Sequence, residues 1–169
     1  MTFQVGEKVV YPNHGVGTVE NISSRAFGTQ QERFYLLRLA SSSMTVMVPF
    51  SHVSDLGLRK VTKCSEINRV LSYLSAGRPC CPQDWKDRFK ENSDRMKGGS
   101  LLEIAEVFKA LVIIQTAKPL SFREKKMLER ARSMLILETS VAKAVSESGA
   151  IALIARALSK CNLPMPAAL

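Results

Sequence analysis

The sequence predicts an α+β protein: a small SH3-like β-barrel over residues 1–61, followed by a compact α-helical bundle over residues 62–169. Three observations carry that expectation. The first third of the chain holds short runs of Val, Tyr, Phe and Leu at roughly ten-residue spacing, the pattern of a small all-β unit. Beyond residue 61 the apolar period becomes helical, opened by two Ser-x-x-Glu capping boxes. At 169 residues, with 46% hydrophobic and 23% charged side chains, the chain has material for one ordinary domain or two small ones and is too apolar for a disordered segment.

In order, strands are expected at Lys8 to Tyr11, Val16 to Ile22, Arg33 to Leu39 and Thr45 to Pro49, with a last short one at Gly57 to Val61. Pro12-Asn13-His14-Gly15 has the composition of a tight turn. Gly28-Thr29-Gln30 reads as a looser hairpin loop and Ser41-Ser42-Ser43 as a polar turn. In the second part Ser100-x-x-Glu103 and Ser121-x-x-Glu124 each precede a long amphipathic stretch. Leu101, Ile104, Ala105, Phe108, Leu111 and Val112 form one buried face, and Met127, Leu128, Ala131, Met134, Leu135, Val141 and Ala142 form another. Further helices are expected at Ser65 to Ser75, at Pro82 to Lys97 with Pro82 near its first turn, and at Ser148 to Ser159. The breaks between them are short, so neighbouring helices pack against one another.

Charge divides the same way. The chain carries 24 Lys and Arg against 15 Asp and Glu, a net charge of +9; residues 1–60 account for 6 and 4 of these, and residues 61–169 for 18 and 11. The balances are therefore +2 and +7. Lys86, Arg88, Lys90, Arg95 and Lys97 crowd one helix, while Lys118, Arg123, Lys125, Lys126, Arg130 and Arg132 crowd the start of another. Such a surface suits a phosphate backbone, bound with little regard to sequence because no recognition helix presents Asn, Gln and Arg to base edges. The plainer reading is a solvated mixed-charge face, since Asp87, Glu91, Asp94, Glu124 and Glu129 are interspersed.

Enzymatic chemistry has little to draw on. His14 and His52 are the two histidines, which leaves few ways to assemble a nucleophile and base. Gly15-Val16-Gly17 lies between strands rather than before a helix, and Gly98-Gly99 lacks the following Lys-Ser/Thr of a phosphate loop. Cys64, Cys80, Cys81 and Cys161 do not have zinc-site spacing and are expected as reduced thiols, with no metal and no cofactor. The longest apolar runs, Ala110 to Ile114 and Ala150 to Ala155, fall far short of the roughly 18 residues that span a bilayer. The N-terminus lacks the pattern of a secretory signal, so the expected compartment is the cytoplasm.

Trp85, the single tryptophan, stands in Trp85-Lys86-Asp87-Arg88-Phe89-Lys90. At i and i+4, Trp85 and Phe89 can both belong to the helical core. Alternatively Phe89 is buried and Trp85 remains outside as a flat wedge that stacks on bases where a duplex opens. Arg25, in the connection after the second strand, is either a solvent-facing residue or a charged flank to a site where a partner strand is added.

Several ordered motifs resemble the CarD family of bacterial transcription regulators, including its CdnL branch. They are Phe3-x-Val5-Gly6-x-x-Val9-Val10-Tyr11-Pro12-x-His14-Gly15, Met47-Val48-Pro49, Leu56-Gly57-Leu58-Arg59, Trp85-x-x-Arg88-Phe89-Lys90, Ile104-Ala105-Glu106-Val107 and Leu120-Ser121-Phe122-x-Glu124-Lys125-x-Met127-Leu128-x-x-Ala131-Arg132. They cover nearly the whole chain. The resemblance implies a Tudor-like N-terminal domain that docks on the β subunit of RNA polymerase, and a helical domain that contacts promoter DNA without sequence specificity. It places the tryptophan in the minor groove at the upstream edge of the transcription bubble, where it stabilises the open complex. Carried over, Trp85, Lys86, Arg88, Lys90, Lys125, Lys126, Arg130 and Arg132 are the DNA-contacting residues, and Arg25, Met47 and Pro49 the polymerase-contacting ones. Met47 departs from relatives that carry arginine there, and Asp87 from those with a basic residue. The expected protein is a monomer, associated with the nucleoid through polymerase. The competing reading is a two-domain adaptor that binds protein partners without touching DNA.

Overall fold

The computed structural model of the chain describes residues 2–12, 14–40, 42–78, 84–98 and 100–167, without the side chains of Trp85 and Gly98. The chain divides into two compact units, Met1–Val61 and Thr62–Leu169, each with its own core.

The first unit is a five-stranded antiparallel sheet. Its strands are β1 (Lys8–Tyr11), β2 (Gly15–Phe27), β3 (Gln30–Leu39), β4 (Thr45–Pro49) and β5 (Arg59–Lys60), in spatial order β4-β3-β2-β1-β5. A register shift between Val19 and Asn21 marks a bulge in β2, the device that lets a long strand bend around a small core. Val9, Val19, Tyr35, Leu37 and Val48 fill that core, together with Phe3, Val53 and Leu58. Tyr35 lies at its centre: its hydroxyl accepts from the Phe3 backbone N–H at 3.1 Å and its ring stacks on Phe50 with centroids 4.1 Å apart. Outside the core, the Gln4 backbone N–H first, and then the Lys60 ammonium at 3.0 Å, hold the Glu7 carboxyl below the usual carboxylate range.

Several expectations are corrected here. The β2–β3 hairpin is longer and tighter than its composition suggests, because Phe27 pairs directly with Gln30. Gly28, at φ 63°, supplies the left-handed residue that a two-residue turn needs. Arg25 therefore lies within β2, opposite Glu32, and not in a connection. Before β5 the chain forms a short helix α1 (Val53–Leu56), closed by left-handed Gly57, which leaves β5 only two residues.

The second unit contains α2 (Cys64–Ala76), α3 (Trp85–Gly98), α4 (Leu101–Ala117), α5 (Phe122–Lys143) and α6 (Glu147–Ser159). Pro82, expected near the first turn of α3, lies outside the described residues, as do Cys80 and Cys81. Ser100 and Glu103 complete a reciprocal capping box at α4. α4 packs against α2, α3 and α5, which explains why Val107 and Ala110 are buried beyond the face its periodicity marks. On α5 the face from Met127 to Leu135 is buried, while Val141 and Ala142 are half-buried. The last helix starts at Glu147, with Ser146 Oγ accepting from Gly149 N–H at 3.1 Å.

Two buried cations hold this bundle. Lys109, 1% exposed, donates from Nζ to the carbonyls of Tyr73 (3.0 Å), which also accepts from Gly77 N–H, and of Gly77 at the C-terminal end of α2, where the helix dipole favours positive charge. Gly77 suits that junction because a Cβ there would lie 2.3 Å from the Tyr73 ring. Arg88, 5% exposed, donates from Nη2 to both carboxylate oxygens of Glu124, at 3.1 and 3.2 Å. The Ser121 box is thereby modified: Ser121 Oγ accepts from Glu124 N–H at 3.3 Å, but the Glu124 carboxylate is directed to Arg88.

Removing one partner of such a pair strands the other charge. Arg88→Ala is expected to lower stability by about 3–5 kcal/mol in urea denaturation, whereas replacing both residues by Met and Leu recovers most of that loss. A loss below about 1 kcal/mol, typical of an exposed pair, would contradict the bracing role.

Candidate nucleic-acid and protein-docking surfaces

α3 starts where it does because Asp84 caps it. Asp84 Oδ1 accepts from the Lys86 backbone N–H at 3.1 Å, and its carbonyl accepts from Arg88 N–H at 3.0 Å. Trp85 is thus the first residue of the helix; its side chain lies outside the described part of the molecule. Lys86, Lys90 and Lys97 recur at i, i+4 and i+11 and form one exposed stripe. Two further cations of this helix pair within the bundle. Arg95 pairs with Glu91 at 3.1 Å and Glu106 at 3.5 Å. Arg88 faces inward to Glu124, so its expected place on a phosphate-facing surface gives way to that of an internal brace. Phe89, expected in the core, is half-buried, with the Arg123 guanidinium 5.8 Å from its ring centroid.

Helical geometry divides the four cations expected together on α5. Met127, Leu128, Ala131 and Leu135 face the core, and Glu124 shares that side. Lys126 and Arg130 lie on the flank that also holds Arg123, the residue in contact with Phe89 of α3. Lys125 and Arg132 lie on the opposite flank, where with Leu128, Glu129 and Gln115 they line a groove closed by Pro166 and Ala167. Only the first pair is continuous with α3.

Two residues outside the expected DNA-contacting set join that flank. Phe122 is 72% exposed at the start of α5, with the Lys126 ammonium 4.8 Å from its ring centroid, and Arg123 bridges to α3. The signal for Phe122 was present: it is an apolar residue off the buried 124/127/128/131 face. Exposed cations therefore occur on both helices: Lys86 and Lys90 on α3, and on α5 Arg123, Lys126 and Arg130 with the exposed Phe122 ring, the two helices meeting where Arg123 lies against Phe89. Cations suit a phosphate backbone, and a flat apolar ring suits unstacked bases.

In the β unit, register brings Arg25, Met47 and Pro49 to one face. Arg25 lies opposite Glu32, Met47 opposite Leu36, and Pro49 opposite Phe34. Glu32, Phe34 and Leu36 alternate along β3, so all these residues share the side of the sheet away from Tyr35 and Leu37. Phe27, 59% exposed and 5.9 Å from Phe34 between ring centroids, extends this apolar surface toward the hairpin. β4 is an edge strand, with β3 as its partner among the described residues. An edge strand beside an apolar face flanked by Arg25 suits addition of a partner's strand.

Among the described residues no helix is long and apolar enough to cross a membrane, and no group of three or more His, Cys, Asp or Glu could hold a metal ion. Asp84→Ala is expected to cost about 1 kcal/mol and to speed amide exchange in the first turn of α3, leaving α4 and α5 protected. Unchanged exchange there would remove Asp84 as the residue that sets this start.

Family models match both parts of the chain: the CarD-like/TRCF RID domain over residues 3–62, and the CarD C-terminal domain over residues 69–155. YdeB of Bacillus subtilis (strain 168), whose name proposes a transcription factor, is 36% identical over 145 residues, covering 86% of this chain and 95% of YdeB. The solved structure of CdnLNt from Myxococcus xanthus is 38% identical and covers 36% of this chain and 86% of its own, with a TM-score of 0.31. With both parts matched and a relative aligned along most of its length, this chain belongs to the CarD family of transcription regulators.

Proposed function

We propose that this protein is a transcription cofactor with two attachment points. The β unit docks on the β subunit of bacterial RNA polymerase through the β4 edge and the face carrying Arg25, Met47 and Pro49. The helical unit contacts promoter DNA, without sequence preference, in the minor groove at the upstream edge of the bubble, and so stabilises the open complex. The observation that carries this reading is the separation of surfaces: an apolar face beside a strand edge in one unit, and in the other exposed lysines on α3 together with an exposed aromatic ring beside a lysine on α5. Membership of a family whose N-terminal domain interacts with polymerase supports the first attachment.

The energetics fit a tethered factor. A few exposed cations give modest affinity for free DNA, but docking on polymerase raises the local concentration of that surface at the promoter. A ligand shifts an equilibrium by its differential affinity, so a preference of about 1.4 kcal/mol for the opened promoter changes the ratio tenfold. One aromatic side chain stacked on a base contributes about 1–3 kcal/mol. Trp85, at the start of the helix that carries Lys86 and Lys90, is the residue to which we assign this role.

Three outcomes are expected. Trp85→Ala shortens open-complex lifetime by roughly tenfold while polymerase capture persists; an unchanged lifetime would exclude the wedge. Arg25→Glu weakens capture of the β subunit and leaves binding to free DNA intact, and equal capture would take Arg25 out of the docking face. For a surface of Lys86, Lys90, Arg123, Lys126 and Arg130, the log–log dependence of duplex affinity on salt should have a slope of about −4 to −5. A slope near zero would count against phosphate contact.

A further inference from the structure

The segment after α6 touches one of the two cationic flanks of α5. After α6, Asn162 takes a left-handed conformation (φ 57°), Asn162 N–H donates to the Ser159 carbonyl, and Leu163 N–H donates to the Leu158 carbonyl. This is the hydrogen-bond pattern that ends a helix and reverses the chain. The following Leu163-Pro164-Met165-Pro166 segment has no regular structure and reaches the α5 groove, where Arg132 Nε donates to the Pro166 carbonyl at 2.9 Å. Pro166 and Ala167 close that groove, which has a volume of about 230 Å³. The matched family domain ends at residue 155, before this segment.

We propose that residues 163–167 form a displaceable cover over Arg132 on a second phosphate-binding wall of α5, which Arg132 shares with exposed Lys125; the inference rests on the DNA-contacting role proposed above. The attachment is slight. Pro164 and Pro166 have no N–H to donate, Leu163, Met165 and Pro166 are only half-buried, and Arg132 holds the segment through a neutral carbonyl. A phosphate is a better acceptor for a guanidinium than a carbonyl, because it is charged and accepts in bidentate fashion. Glu129 on the same wall reduces its charge to a net +1, so the wall adds to an existing DNA contact and does not create one. The covered state lowers apparent affinity by the fraction of molecules in which the segment is seated. DNA backbone that reaches Arg132 releases it.

The test uses the full chain with Leu163→Ser and Met165→Ser, which replace the half-buried anchors, with and without Arg132→Ala. The released protein should bind a duplex several-fold more tightly, with a salt slope steeper by about 1–2. Arg132→Ala should then cost several-fold in the released background and less than about twofold in the native one. Equal affinity and slope for released and native chains would overturn the cover while leaving the DNA reading intact. Absence of duplex binding by either chain at low salt would overturn both. A second measurement needs no variant: in the native chain the Arg132 Nε–H resonance should move as duplex is added to saturation, and a stationary resonance would overturn the exchange of carbonyl for phosphate.

Discussion

The buried pair between Arg88 and Glu124 is the contact on which the cationic surface depends. α3 is polar along most of its length, with Asn92 and Met96 among its few inward residues, and has little apolar area to hold it in place. A carboxylate from the first turn of α5 and a guanidinium from the first turn of α3 supply the missing constraint, and each is too buried to tolerate loss of the other. The pair joins the starts of both helices, and there Arg123 of α5 lies against Phe89 of α3. The arginine expected to touch DNA is instead an internal brace between the two helices.

This arrangement changes the meaning of the net charge. The excess of the helical unit is not one continuous field. Arg88, Lys109 and Arg95 are spent inside or at the edges of the bundle, and the cations of α5 divide into an open flank and one that meets Pro166 and Ala167. What remains exposed around Phe122 is a small surface, in keeping with the proposal that the protein takes its position from polymerase and needs only a modest grip on DNA. The β unit contributes a different chemistry, an apolar face with a strand edge, so the two proposed attachments do not compete for one kind of partner.

Most of this architecture was legible in residue pattern, and the departures have local causes. The Ser-x-x-Glu motifs marked the starts of α4 and α5 because a cap is a contact between residues three apart. The same motif could not reveal that Glu124 serves Arg88, because that partner is 36 residues distant. Asp84 capped α3 where Pro82 drew attention. Arg25 was placed in a connection because Ser23, Ser24 and Arg25 are weak strand formers; cross-strand pairing with β3 overrides that preference. The inward turn of Arg88 had no local signal, since a cation in a basic run reads as solvated. Phe122 could have been found, because it breaks the apolar periodicity of its own helix. The resemblance of ordered motifs identified the family, but only the packed structure separates Lys126 and Arg130 from Lys125 and Arg132.

The central claim is that polymerase docking determines where the helical unit meets DNA. A photo-crosslinking group at position 90 tests it directly in complexes of the full chain, polymerase and promoter. The account predicts cross-links confined to the upstream edge of the bubble and lost when Arg25→Glu is added. Cross-links spread along the duplex, with the same pattern whether or not polymerase is present, would contradict it.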